Sequence, residues 1–140
     1  MKNGRRYKTQ QGNPMRGRKK TVTQAPSSPL QIHTQNYLLY LQTLNYSPKT
    51  QLSRKDILKV FNHWCGLREL TEADQINILH LESYQRYLSQ NYRKKDGKGI
   101  SPRTQKHHLC VLQQLFKWLC RKRHILTNPA SDLELPRVPK

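Results

Sequence analysis

Three serine-proline pairs punctuate this chain, Ser28-Pro29, Ser47-Pro48 and Ser101-Pro102, and behind each one apolar residues recur at steps of three and four. A serine ahead of a helix accepts from a free N–H of the first turn, and proline, having no N–H, suits the first helical position. The pairs therefore predict three helix starts. After Ser28-Pro29, Leu30, His33, Tyr37, Tyr40, Leu41 and Leu44 form one stripe, which "LNYSPKT" interrupts. The second helix should turn Leu52, Leu58, Phe61 and Trp64 inward and end near Gly66, where a left-handed cap costs glycine little. "LRELTEADQINI" predicts a helical turn within a loop, and "LHLESYQRYLSQNY" resumes the helical period through Leu81, Tyr84, Tyr87 and Leu88. "RKKDGKGISPRT" predicts a solvated loop, after which a fourth helix should run to about Arg123 with Leu109, Leu112, Leu115, Phe116 and Leu119 facing the core. No segment alternates with period two long enough to predict a strand, and no longer repeat recurs. The expected fold class is all-α: four helices and a short C-terminal helical turn.

Composition narrows what such a bundle meets. In 140 residues, 26 basic groups face 8 acidic ones, a formal charge of +18, which should recruit a polyanion. Residues 1–28 hold eight of the basic groups, no acid, and only Met15 and Val22 as large aliphatics, so they predict a disordered basic arm. Taking eight from 26 leaves 18 basic against 8 acidic groups, so residues 29–135, the expected helical domain, and 136–140, the expected start of a linker, remain basic together. No run of about 18 apolar residues could span a bilayer, and no apolar stretch follows the basic start as in a signal peptide. The expected location is the cytoplasm, with no membrane partner.

Cys65, Cys110 and Cys120 are an odd set without a secretion signal and are expected as reduced thiols. His107, Cys110, Cys120 and His124 form two ligand-like pairs, but along one helix the pairs lie roughly 15 Å apart and cannot converge on one ion. No metal or other cofactor is expected.

The chemistry should lie at the helix starts. Lys49 follows Ser47-Pro48, and Arg103 and Lys106 follow Ser101-Pro102, although a helix N-terminus disfavours cations. A phosphate resolves that conflict, because backbone N–H groups, the hydroxyl of Thr50 or Thr104 and a basic side chain can converge on one anion. Along the fourth helix, Arg103, Lys106, His107, Gln113, Gln114, Lys117 and Arg121 form a polar stripe without an acid, carrying groups that pair with base edges in a major groove. Arg54, Lys55 and Lys59 of the second helix, interrupted by Asp56, suit backbone contacts.

Three spacings also occur in order: "L.YL..L..S..T.......L..F..W" from Leu38 to Trp64, "S..T....L..L..LF.WL" from Ser101 to Leu119, and "NPA..L..P..PK" from Asn128 to Lys140. In these the chain resembles the N-terminal core-binding, SAM-like domain of the phage integrase or tyrosine recombinase family, over residues 29–140. Arg54 departs from the pattern, standing where the family often has an aromatic. The resemblance implies a four-helix domain closing over one side of double-stranded DNA, other recombinase protomers on that DNA, and a C-terminal catalytic domain of the same or a companion chain beyond Pro136. It also implies that catalysis rests elsewhere. The family cuts with a tyrosine beside arginines, a lysine and histidines, and Tyr7, Tyr37, Tyr40, Tyr46, Tyr84, Tyr87 and Tyr92 stand in the arm, on apolar faces or at helix ends with no such cluster. Asn128-Pro129 predicts a helical restart, and Pro136 and Pro139 predict extended backbone leading away. Two other readings of the residues stay open: a stand-alone basic regulator or nucleoid-type protein, and an RNA-binding protein, against which the core-like spacing of the aromatics argues.

Overall fold

The computed structural model describes residues 27–139, so the predicted arm, except Ser27 and Ser28, lies outside it. Four helices follow in order: α1 Pro29–Thr43, α2 Pro48–Leu67, α3 Ile78–Gln90 and α4 Pro102–Arg121, with a 3-10 turn at Ala73–Gln75 before α3. Among the described residues there is no strand.

Each start is closed by its own side chains. Ser28 Oγ accepts from Gln31 N at 3.2 Å while Gln31 Oε1 accepts from Ser28 N at 3.0 Å, a reciprocal cap. Ser28 thus belongs to α1 rather than to the arm. Asn77 and His80 make the same exchange at α3, at 3.0 and 3.2 Å. α2 and α4 end within two residues of where the sequence places them, but the closure of α2 departs from expectation. Gly66 stays helical, and the left-handed conformation falls to Glu69 at φ +59°, as it falls to Asn45 at +63° after α1 and to Arg123 at +65° after α4. In all three, the following N–H reaches back to the carbonyl five residues earlier: Tyr46 to Leu41 at 3.2 Å, Leu70 to Cys65 at 2.9 Å and His124 to Leu119 at 2.9 Å. Those closures outweigh the roughly 1 kcal/mol that the left-handed region costs a residue with a Cβ.

α4 packs against the other three helices and is their common support. Its Leu109, Leu112, Leu115, Phe116 and Leu119 are fully buried against Leu41 of α1, Leu58 and Phe61 of α2, and Leu81 and Tyr84 of α3. Phe61 meets the Tyr84 and Phe116 rings edge-on at 5.0 and 6.1 Å. Two residues of the expected stripes lie outside this core. Leu44, just past the end of α1, is 50% exposed, and Leu52 is 60% exposed on a face of α2 that borders an open groove with α1.

Between α4 and Pro136 the chain folds back along the bundle. Asn128-Pro129 opens the expected short turn, though not a regular helix: Ser131 N donates to Asn128 O at 3.3 Å, Leu133 N to Ala130 O at 3.2 Å, and Asn128 Oδ1 accepts from Ala130 N at 2.9 Å. Ile125, Ala130 and Leu133 are buried, and Gln85 Nε2 donates to Glu134 O at 2.8 Å, so the tail seals the α3 side of the bundle before Pro136.

Candidate nucleic-acid interface

The two clamps predicted from sequence are built alike. Ser47 Oγ accepts from Thr50 N at 3.2 Å and donates to Thr50 Oγ1 at 3.0 Å; Ser101 Oγ accepts from Thr104 N at 3.2 Å and donates to Thr104 Oγ1 at 3.1 Å. Sequence reasoning missed one member of the pattern, the glutamine that follows each threonine. Gln51 Nε2 donates to Tyr46 O at 2.6 Å and Gln105 Nε2 to Ile100 O at 3.2 Å, so "SPKTQ" and "SPRTQ" are the same cap twice. Matching the five letters was the signal available. The caps also decide what remains for a ligand. Proline has no N–H, the threonine N–H is spent on serine, and the glutamine N–H closes the helix onto the serine carbonyl. Each start therefore offers the N–H and side chain of Lys49 or Arg103 and the hydroxyl hydrogen of Thr50 or Thr104, with Ser47 and Ser101 holding the geometry.

On α4, Arg103, His107, Cys110, Gln114, Lys117 and Arg121 follow steps of four, three, four, three and four, one line along the helix, roughly 27 Å long. All of them are exposed except Cys110, which is half-buried, and Lys106 lies exposed beside them. Gln113 does not join this line. It is half-buried, and its Nε2 donates at 3.4 Å to the carbonyls of both Ala130 and Leu133, pinning the tail. Next to the exposed His107 stands His108, buried with an unpaired Nδ1; burial, and then the charge of His107, lowers its pKa to about 4.

Arg54 is likewise turned inward. Its Nη1 donates to Tyr37 Oη at 2.8 Å and its guanidinium lies 5.3 Å from the centre of the Tyr46 ring. Burial raises the Tyr37 phenol above its ordinary range while Arg54 opposes that shift, which leaves the phenol neutral at pH 7. Arg54 shares its cleft with Gln114, Lys117 and Arg121, so the second turn of α2 meets the second half of α4. Lys55 and Lys59 line a separate groove between α2 and α1, with Gln31, Thr34 and Gln35. Among the described residues no three His, Cys, Asp or Glu side chains converge on a point suited to a metal, and His124 packs its ring 4.3 Å from that of His33.

The family model for the phage integrase N-terminal SAM-like domain matches residues 34–125. The chain belongs to this family. It is 39% identical over 100 residues to a protein named tyrosine recombinase XerC 2 from Ralstonia nicotianae, covering 71% of this chain and 28% of the relative. It is 31% identical over 96 residues to a tyrosine recombinase XerC from Leptospira interrogans, covering 69% and 29%. The chain thus spans less than a third of those relatives. The N-terminal domain of a phage integrase/site-specific recombinase from Haloarcula marismortui shares its fold with a TM-score of 0.65 at 20% identity, over 81% of this chain and all of that one. The integrase from mycobacterium phage Brujita does so at 0.59 and 21%, over 76% and 33%. Among the described residues of this integrase-type domain, no helix is long and apolar enough to cross a membrane.

Proposed function

We propose that this domain grips duplex DNA at a recombination site, binding the polymer without cutting it, while a C-terminal catalytic domain of the same or a companion chain does the chemistry. Lys49 with Thr50, and Arg103 with Thr104 and Lys106, hold backbone phosphates at the two capped helix starts, and the outer line of α4 enters the major groove. Gln114, free of protein partners, reads a base edge. Lys117 and Arg121 flank it on the backbone, and other recombinase protomers bind the same duplex. All of this takes place in the cytoplasm.

The observation that carries the reading is the exposed line on α4: it holds four nitrogen-bearing side chains besides Gln114 and no carboxylate, in a member of the integrase domain family. A merely solvated helix face would mix signs. Competition tests it: a labelled DNA duplex bound by the chain should be displaced by unlabelled DNA duplex far better than by an RNA duplex or single strand of equal length. Displacement by RNA at equal concentration overturns the proposal.

A further inference from the structure

Resting on the DNA reading above, we infer that the cleft between the end of α1, the second turn of α2 and the second half of α4 is a preorganised seat for one phosphate of the DNA backbone. The cleft encloses about 250 Å³ and carries Arg54, Lys117 and Arg121 over a wall that includes Tyr37, Tyr40 and Tyr46. An arginine near a protein surface commonly settles on a carboxylate. Both guanidiniums here are held instead by phenols, Arg54 by Tyr37 at 2.8 Å and Arg121 by Tyr40 at 3.1 Å. A phenol occupies one N–H of the five and takes away no charge, so each arginine stays both fixed and fully cationic.

The phenols are fixed in turn. The Trp118 ring stands 5.5 Å from that of Tyr37 and 5.9 Å from that of Tyr40. No acidic side chain lines the cleft, and among the described residues the one ion pair, Lys94 to Asp96 at 3.9 Å, lies in the loop between α3 and α4. Arg54 Nε is buried without a partner, a further donor that an anion would satisfy. Paired arginine forks and an ammonium suit the several oxygens of a phosphate. Tyr37 and Tyr40 are then positioning residues that keep two cations aimed before DNA arrives.

Duplex binding by the whole 140-residue chain over a range of salt tests this. Arg121→Ala should weaken binding to every sequence about tenfold and reduce the salt slope by about one. Tyr40→Phe, which removes no charge, should lower affinity a few-fold at an unchanged slope; a merely structural role would lower the melting temperature without that split. Arg86→Ala, an equal loss of charge on α3 outside the cleft, should stay within about twofold of the parent. If Arg121→Ala and Tyr40→Phe behave like Arg86→Ala on a chain that still binds duplex, the seat is wrong and the DNA reading stands. A parent chain without salt-dependent duplex binding overturns the DNA reading itself. Inorganic phosphate that saturates the Tyr40 and Arg121 resonances, and is not displaced by duplex, makes the cleft a site for free anions and overturns the seat.

Discussion

The inner and outer faces of α4 carry the same kinds of side chain and use them oppositely. His107 and His108 are neighbours, as are Gln113 and Gln114, and in each pair one member is exposed while the other is turned toward the protein. A step of one residue is a rotation of about 100°, so a single position decides whether an imidazole or an amide meets water or packing. Inside, His108 is buried and held neutral, and Gln113 ties down the tail. Outside, His107 and Gln114 are exposed, which is what the proposed DNA contact requires of them. The lesson is that residue type marks a nucleic-acid face only after the phase of the helix is known.

The largest expected effect belongs to the inner face. His108 has a folded pKa of about 4 against an ordinary 6.5, so the unfolded chain binds more protons between those values. Its contribution to stability is intact above pH 6.5 and is lost progressively as the pH falls toward 4, by up to roughly 3 kcal/mol. His33, whose pKa is lowered by burial and then by His124 against the opposing charge of Glu72, adds a loss of the same sign. Denaturant melts across that window should show the slope, and His108→Leu should flatten most of it, while His107→Leu, which removes only the lesser cause of the shift, should leave most of it in place.

The two glutamines should then separate cleanly. Gln114→Ala should change preference at one or two base pairs by about 1 to 3 kcal/mol with the melting point unmoved. Gln113→Ala should cost about 1 kcal/mol of stability, since it strands two carbonyls, with base preference unchanged. Equal behaviour of the pair in a binding-site selection would break the distinction between the faces. The smallest effect concerns the caps: Ser47→Ala and Ser101→Ala should each cost about 1 kcal/mol, and the same amount, because their hydrogen bonds match. Thermal melts of the two variants check this directly.

Much of the fold was legible because helix starts are local. Ser28-Pro29, Ser47-Pro48 and Ser101-Pro102 each open a helix where the sequence places it, and Leu109, Leu112, Leu115, Phe116 and Leu119 face the core as their spacing predicts. Where the second and fourth helices end was legible to within two residues, but how the helices close was not, because Asn45, Glu69 and Arg123 take the left-handed position that glycine would take on local preference alone. Closure there depends on what the next residues pack against. The candidate interface divides in the same way. The two matching capped helix starts follow from a short pattern that repeats, whereas the inward turns of Arg54 toward Tyr37 and of Gln113 toward the tail depend on contacts between residues 17 to 20 positions apart. No local pattern contains them.

The claim on which the rest depends is that cations without counter-ions on α2 and α4 bind the phosphates of a duplex. The dependence of duplex affinity on salt measures it most directly. With about six phosphates neutralised, log affinity should fall against log salt concentration with a slope near about −5. A slope near zero would contradict the account.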